Sequence, residues 1–436
     1  MASVAEEETG CPDSSVRKSL PGLTAKRKAR VLFINDTARN GGPGRSLFYI
    51  LKFLDPAVVH RSVVLPREGV ISELYRSRGV TEDLFIEPDL IENLVEPQSR
   101  PMSREDFDAP LALRGSRAAL NVLRVGRGLM RLTSMIQRGA YDLVYCNGTN
   151  ADFAGGVLAR TSGVPALWHV RYTSVPKLAQ GVHDRLAASR GVSRIVCVSN
   201  ASATLFPHCP EKVRVIHNAL DTSEFDVSSI TPVLRRELGL PNDAIVFGSQ
   251  GRILPRKGYV EMIHAAREAL SLMTEDERRR AFFVVLGDTP EDIRPDHLAE
   301  CRALVESFGL VDKFRFVGFR TDILPWAADF DVAVVPSVYP DPLPRAVIEA
   351  MALGKPVIAF DVGGVSAMLK DGTTGTLVRA GDASGLAKEM LRYLREPALR
   401  GAHGRAGRSR VEQEFDGRIQ ARRIQDQILE ASGLVG

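Results

Sequence analysis

Short apolar runs recur along the chain from Arg30 onward: Val31 to Asn35, Val58 to Leu65, Asp142 to Cys146, Pro165 to Arg171, Arg194 to Ser199 and Val213 to His217. A half-exposed strand would alternate apolar with polar residues, so these runs predict strands buried on both faces. Helix-length segments fall between them at Ser46 to Leu54, Ile71 to Arg78 and Leu111 to Arg138. Such alternation predicts a parallel sheet with helices on both sides, here over residues 29–221. The rhythm lapses between Asp221 and Pro241, where Ser228, Ser229, Thr231 and Pro232 mark residues 222–241 as a linker. A second series fills residues 242–399. Its strands are expected at Ala244 to Ser249, Phe282 to Leu286, Phe314 to Val317, Val332 to Pro336, Val357 to Phe360 and Thr376 to Val378. Its helices are expected around 257–272, 295–307, 344–353 and 384–395. The pattern therefore predicts an α/β protein of two Rossmann-like, doubly wound parallel-sheet domains facing a cleft, with ligands beyond the carboxyl ends of the strands. Residues 400–436 read as a helix crossing back to the first domain. Residues 1–28 are polar, carry Pro12 and Pro21, end in Lys26, Arg27 and Lys28, and read as a disordered arm.

Composition narrows this picture. Hydrophobic residues make up 44% and charged residues 25% of the chain, values of an ordinary soluble globular protein. Cys11, Cys146, Cys197, Cys209 and Cys301 form no C-x-x-C pair, which excludes a zinc knuckle or disulfide framework. Glu6, Glu7 and Glu8 stand where a signal peptide needs basic residues, and no apolar run is long enough to span a bilayer, so a cytoplasmic protein is expected. The net charge of +4 is unevenly divided: residues 1–220 hold 29 Lys and Arg against 21 Asp and Glu, leaving the remainder acidic. A basic half invites anionic ligands or surfaces, but no nucleic-acid partner is expected, because no zinc-finger, RNP or basic-zipper signature accompanies it. Arg117, Arg124, Arg131 and Arg138 recur every seven residues, with Arg114 and Arg127 beside them and Leu113, Leu120, Leu123, Leu132, Met135 and Ile136 as an apolar complement. Two readings stand for this segment: a helix packed on the core with a solvated basic face, or a peripheral contact with the inner face of an anionic membrane.

Three segments carry candidate chemistry. Asn40-Gly41-Gly42-Pro43-Gly44-Arg45-Ser46 follows the first strand and opens a helix, placing backbone N–H groups where an anion can sit. It lacks the Gly-Lys-Ser/Thr of a Walker A loop, and Leu47 replaces the third glycine of a dinucleotide fingerprint. A tight turn without a ligand is the plain alternative. Gly251-Arg252-Ile253-Leu254-Pro255-Arg256-Lys257-Gly258 repeats the arrangement in the second domain. There Arg252 and Lys257 are suited to stabilise charge that grows on a departing diphosphate. Asp341 and Glu349, eight residues apart, stand before and inside a helix, close to two helical turns. Both carboxylates can accept hydrogen bonds from sugar hydroxyls, and Glu349 on an apolar helix would be costly to bury without a partner. Asp329-Phe330-Asp331 spells a D-x-D pair, but it directly precedes a buried strand. With Arg and Lys supplying the positive charge, no metal and no cofactor is expected.

Taken in order, these motifs resemble the retaining family 4 glycosyltransferases, nucleotide-sugar-dependent enzymes with the GT-B fold. The resemblance covers about residues 30–400. It rests on Gly41-Gly42, Trp168-His169, Val198-Ser199-Asn200-Ala201-Ser202, Val215-Ile216-His217-Asn218-Ala219-Leu220-Asp221, Gly251-Arg252 with Lys257-Gly258, the 341/349 pair and Asp371-Gly372-Thr373-Thr374-Gly375. It implies a nucleoside diphosphate sugar as donor and a hydroxyl acceptor. Arg252 and Lys257 then hold the diphosphate, Gly42 approaches it through its backbone, and Glu349 binds the ribose. Asp341, with Pro342, Leu343 and Pro344 after it, meets the transferred sugar, His169 lies near that sugar, and Gly318-Phe319 meets the nucleobase. The chain departs from the family twice, with Asp rather than Glu at 341 and Val365-Ser366-Ala367 after Gly363-Gly364 where Glu is frequent. A nucleotide-sugar epimerase on the same fold and a non-catalytic nucleotide-sugar binder are the alternatives.

Overall fold

The computed structural model describes residues 27–38, 41–92, 109–289 and 296–435. The terminal arm up to residue 26, and Asn40 of the first loop, lie outside the described residues. Arg27, assigned above to the arm, is instead paired with Asp142. Seven strands form the first sheet: β1 (Ala29–Asn35), β2 (Val59–Leu65), β3 (Asp83–Ile86), β4 (Leu143–Asn147), β5 (Ala166–Val170), β6 (Val192–Cys197) and β7 (Val213–Val215). Six form the second: β8 (Ile245–Gln250), β9 (Ala281–Leu286), β10 (Phe314–Phe316), β11 (Val332–Val335), β12 (Val357–Phe360) and β13 (Gly375–Val378). Every pairing is parallel. Their orders are β3-β2-β1-β4-β5-β6-β7 and β10-β9-β8-β11-β12-β13. In both, the chain first winds outward to one side and then restarts on the other, so a switch point lies between β1 and β4 and again between β8 and β11. Outside the carboxyl ends of the strands, such a point opens a crevice for ligands.

The runs that lack alternation are buried as expected: all positions of β4, β5, β9, β11 and β12 are inaccessible. Helices cover them on both faces. The Thr149–Ser162 helix packs on β4 and β5, and this contact depends on glycine: a Cβ at Gly155 would overlap the Cys146 sulfur. The Leu111–Arg138 helix packs on that helix in turn, burying Leu132 and Ile136 while Leu120 and Leu123 stay exposed. Its basic stripe is partly spent inside the molecule. Arg124 binds Asp89 at 2.9 Å, and Arg131 binds Glu87 and Asp89 at 2.5 Å each. Gly128 lies between these two arginines and lets the helix approach Asp89 closely.

The last segment is two helices rather than the single one expected, Pro397–Glu414 and Gly417–Ser432. The break falls at Phe415-Asp416, where Asp416 caps the second helix by accepting from the Arg418 N–H at 2.9 Å. Leu220 exchanges backbone hydrogen bonds with both sides of the break. From there the final helix packs against the Gly42–Phe53 helix of the first domain. Gln425 accepts from the Asp55 N–H at 2.9 Å, and Arg194 pairs with Glu430 at 2.6 Å. The chain thus crosses between the domains twice.

Candidate functional site

The carboxyl ends of the two sheets face one another across loops 171–174 and 339–345. Thr173 donates to the Pro340 carbonyl at 2.7 Å, Ser174 bonds the Tyr339 hydroxyl at 2.8 Å, and Asn218 donates to the Leu343 carbonyl at 3.3 Å. The candidate residues collect around this junction.

On the second-domain side, Gly251 follows β8 and Gly258 ends the loop. Gly258 has φ +71°, and a Cβ there would overlap the Pro336 carbonyl. Glycine is therefore demanded twice, by its left-handed backbone and by the close approach. The loop presents Lys257 to Asp341, with Nζ 2.6 Å from Oδ2. Gly363 and Gly364 fix Asp341 from below, since the Gly364 N–H donates to the Asp341 carbonyl at 2.9 Å and any side chain on Gly364 would overlap the Pro342 carbonyl. Glu349 projects from the Arg345–Ala352 helix and is partnered as its burial requires. Gln250, the last residue of β8, donates to it at 2.6 Å, and Arg345 pairs with it at 2.8 Å. Gly318 has φ +78° and accepts from the Gly287 N–H at 3.0 Å, which draws it to the ends of β8 and β9 beside Gly251. Phe319 is exposed next to it.

The Leu343 side chain is buried in the core, and its carbonyl accepts from Asn218. Pro344 serves as the residue preceding the helix. Arg252 stands exposed on the loop after β8.

On the first-domain side, Gly41 is the extended residue before the Gly42–Phe53 helix, and Gly42 is open to the cleft. A Cβ built on Gly42 would come 4.0 Å from Arg345 Cδ, so the two domains approach there. Arg345 also donates to the Ala219 carbonyl at 3.3 Å and lies over the Tyr49 ring. His169, at the end of β5, is buried. The Tyr145 hydroxyl and the Arg171 guanidinium both donate to its Nδ1. That fixes the proton on Nε2, which is buried and has no partner. Burial and the nearby Arg171 push the His169 pKa well below the usual range, so the ring is neutral.

Asp329 and Asp331 are both occupied by Arg235, at 3.0 and 2.6 Å, and Asp331 also accepts from the Val246 N–H at 2.8 Å. They brace a strand and do not converge on the cleft. Among the described residues, no group of three or more His, Cys, Asp or Glu side chains is placed to hold a metal ion.

Sequence reasoning gave no role to Arg345, Asn218, Gln250, Tyr145 or Arg171. Arg345 and Asn218 lay inside quoted motifs. Gln250 and Arg171 stand at or next to strand ends and Tyr145 lies within β4, positions that become informative only once the strand order is known.

Residues 231–410 match the family model for glycosyl transferases group 1, and residues 96–224 the model for glycosyltransferase family 4. A 2-deoxystreptamine glucosyltransferase of Streptomyces kanamyceticus is 30% identical over 281 residues, 60% of this chain and 70% of that protein. D-inositol 3-phosphate glycosyltransferase 2 of Catenulispora acidiphila is 30% identical over 62% of this chain and 66% of its own length. Among solved structures, Anabaena HepE in complex with UDP superposes with a TM-score of 0.73 at 22% identity, over 92% of this chain and all of that one. A Rickettsia africae glycosyltransferase gives 0.72 at 18% identity, over 93% of this chain and 98% of its own. At these identities the structural likeness speaks for the fold. With both halves of the chain matched and the motif order preserved, the protein belongs to the family 4 glycosyltransferases of the GT-B fold.

Proposed function

We propose that the protein transfers a sugar from a nucleoside diphosphate to a hydroxyl acceptor with retention of configuration and without a metal. The observation that carries this reading is the contact of Lys257 with Asp341 at 2.6 Å, within one loop of Glu349. On this reading Lys257 meets the diphosphate, with Asp341 beside it toward the sugar, while Glu349 on the following helix serves the ribose at the other end of the diphosphate. Lys257 and Arg252 take the diphosphate and stabilise the charge it gains as the glycosidic bond breaks. Asp341, released from Lys257 by the incoming anion, accepts from hydroxyls of the sugar. His169 offers its Nε2–H to a sugar oxygen. The acceptor attacks the oxocarbenium-like sugar from the face the phosphate leaves, and its proton passes to that phosphate. No second carboxylate is needed as a base, unlike the facing acid pair of glycosidases. UDP in the HepE structures supports a nucleotide donor. Contact with an anionic membrane is a separate proposal resting on the exposed Leu120 and Leu123 and on the exposed Arg138 of that helix, and it predicts sedimentation with anionic but not neutral vesicles.

Thermal shift across a panel of nucleoside diphosphates and their sugars tests the donor, since a ligand of the folded state raises the melting temperature. The anomeric configuration of the product, read by NMR, tests retention. Turnover should persist in excess chelator; loss that manganese or magnesium restores would refute the metal-independent mechanism.

A further inference from the structure

Resting on the donor reading above, one cation of the cleft is left without a task. Arg171 follows β5 at the first-domain switch point. A guanidinium has five N–H donors, and its three hydrogen bonds all go to neutral groups: Nε to Asn147 Oδ1 at 2.6 Å, Nη1 to Asn218 Oδ1, and Nη2 to His169 Nδ1 at 3.3 Å. Asn147 ends β4 and bonds in turn to Asn35 at the end of β1 and to the Pro43 carbonyl at 3.2 Å. Arg171 is thus anchored between the two strands that frame the crevice, beside the start of the Gly42–Phe53 helix.

Arg124, Arg235 and Arg345, likewise half-buried, each bind a carboxylate; Arg171 does not, and unlike Arg400, which is spent on the backbone carbonyls of Tyr393 and Leu394, it stands at the carboxyl end of a strand in the cleft. The groups that face it are Tyr145, Tyr75, Asp152 and Arg345. Asp152 is buried, is hydrogen-bonded to Tyr172, and has its pKa pushed well up by burial, so it supplies little negative charge. Arg345 adds positive charge. A cation held this way, with two N–H groups unused and the field around it positive, is completed by an anion. The donor diphosphate is already answered by Arg252 and Lys257 on the opposite domain.

We propose that Arg171 binds a phosphate group, or an oxyanion like it, carried by the acceptor. The acceptor class is then a phosphorylated hydroxyl compound whose anion docks at the end of β5, leaving its hydroxyl to reach the sugar beside His169. Inorganic phosphate is the probe, added to protein already saturated with the nucleoside diphosphate that binds, chosen from uridine, adenosine, guanosine and thymidine diphosphates. A further rise in melting temperature with millimolar phosphate is expected. Arg171→Met should weaken phosphate binding roughly 10- to 100-fold, the range for a lost charged hydrogen bond, while nucleotide binding persists. Should Arg171→Met not fold, Arg171→Lys carries the test, with phosphate binding weakened but present. If a nucleotide binds and phosphate adds nothing to the saturated protein, Arg171 serves the donor diphosphate and this inference alone is overturned. An unchanged phosphate response in a folded Arg171 variant overturns it equally. If no nucleotide binds, the donor reading falls and takes this inference with it.

Discussion

Lys257 and Asp341 neutralise each other across 2.6 Å, so each substitution there acts on its partner as well. Lys257→Ala removes the cation proposed to hold the diphosphate and leaves the Asp341 carboxylate without its partner. Turnover should fall roughly 10²- to 10³-fold, the loss typical of one transition-state charge donor. Arg252→Ala should fall in the same range with the melting temperature unchanged, because Arg252 is exposed on a loop. Steady-state rates on a saturating donor check both, and near-normal turnover in either folded variant would remove its phosphate role. Asp341→Glu adds one methylene to the carboxylate proposed to meet the sugar. It should shift preference among donor sugars while leaving affinity for the free nucleoside diphosphate within a few-fold, since the proposed ribose contact is Glu349, which Gln250 holds at 2.6 Å. Calorimetric nucleotide affinity beside rates on several donors separates the two, and a large loss of nucleotide affinity with unaltered sugar preference would reverse the assignment.

At the scale of elements, backbone rather than side chain often sets the site. The 251–258 loop holds Lys257 in place because Gly258 turns left-handed against the Pro336 carbonyl. Gly258→Ala meets both a left-handed penalty of about 1–2 kcal/mol and a clash with fixed backbone. It should therefore lower the denaturation midpoint measurably and reduce turnover more than Lys257→Ala does, by displacing the whole loop. A stable, active Gly258→Ala protein would mean that the loop is free to rearrange. Glycine also explains where sequence reading stopped short. The Thr149–Ser162 helix was not expected, since Gly155 and Gly156 within it look like breakers. Gly155 is there because the helix lies so close to β4 that Cys146 leaves no room for a side chain, and Gly156 lies tightly against Leu186 and Trp168. β3 was missed for another reason: four residues at a sheet edge are too few to show a pattern.

For the whole molecule, two acids whose pKa values burial raises, Asp36 and Asp152, couple the first domain to solution pH. Asp36 follows β1 and accepts from the Asn150 N–H at 3.0 Å, and burial raises its pKa to about 6 from an ordinary 3.8. The folded protein then binds this proton more tightly than the unfolded chain does. Its contribution to stability is greatest below pH 3.8 and is lost as pH rises to about 6, after which it is constant. Asp36→Asn should flatten that slope and raise stability at neutral pH, as measured by urea midpoints between pH 4 and 8. A larger pH dependence in the variant would show that another group carries it.

Local physics made much of this protein legible in its sequence. Unbroken apolar runs fixed two parallel sheets, because only strands covered on both faces need no polar side. Glycine-bounded loops after strands marked where anions could be held, whereas the spacing of the acids at 341 and 349 is not that of two helical turns, because the helix begins only at Arg345. The tertiary structure alone decided which distant residues meet. Lys257 reaches Asp341, Arg345 spans from Glu349 to the first domain, and Arg171 is anchored by Asn147 and Asn218 without a carboxylate. Charges and hydrogen bonds act through space, and the separations they act across are set by how the strands of the two sheets are ordered, which periodicity along the chain does not encode.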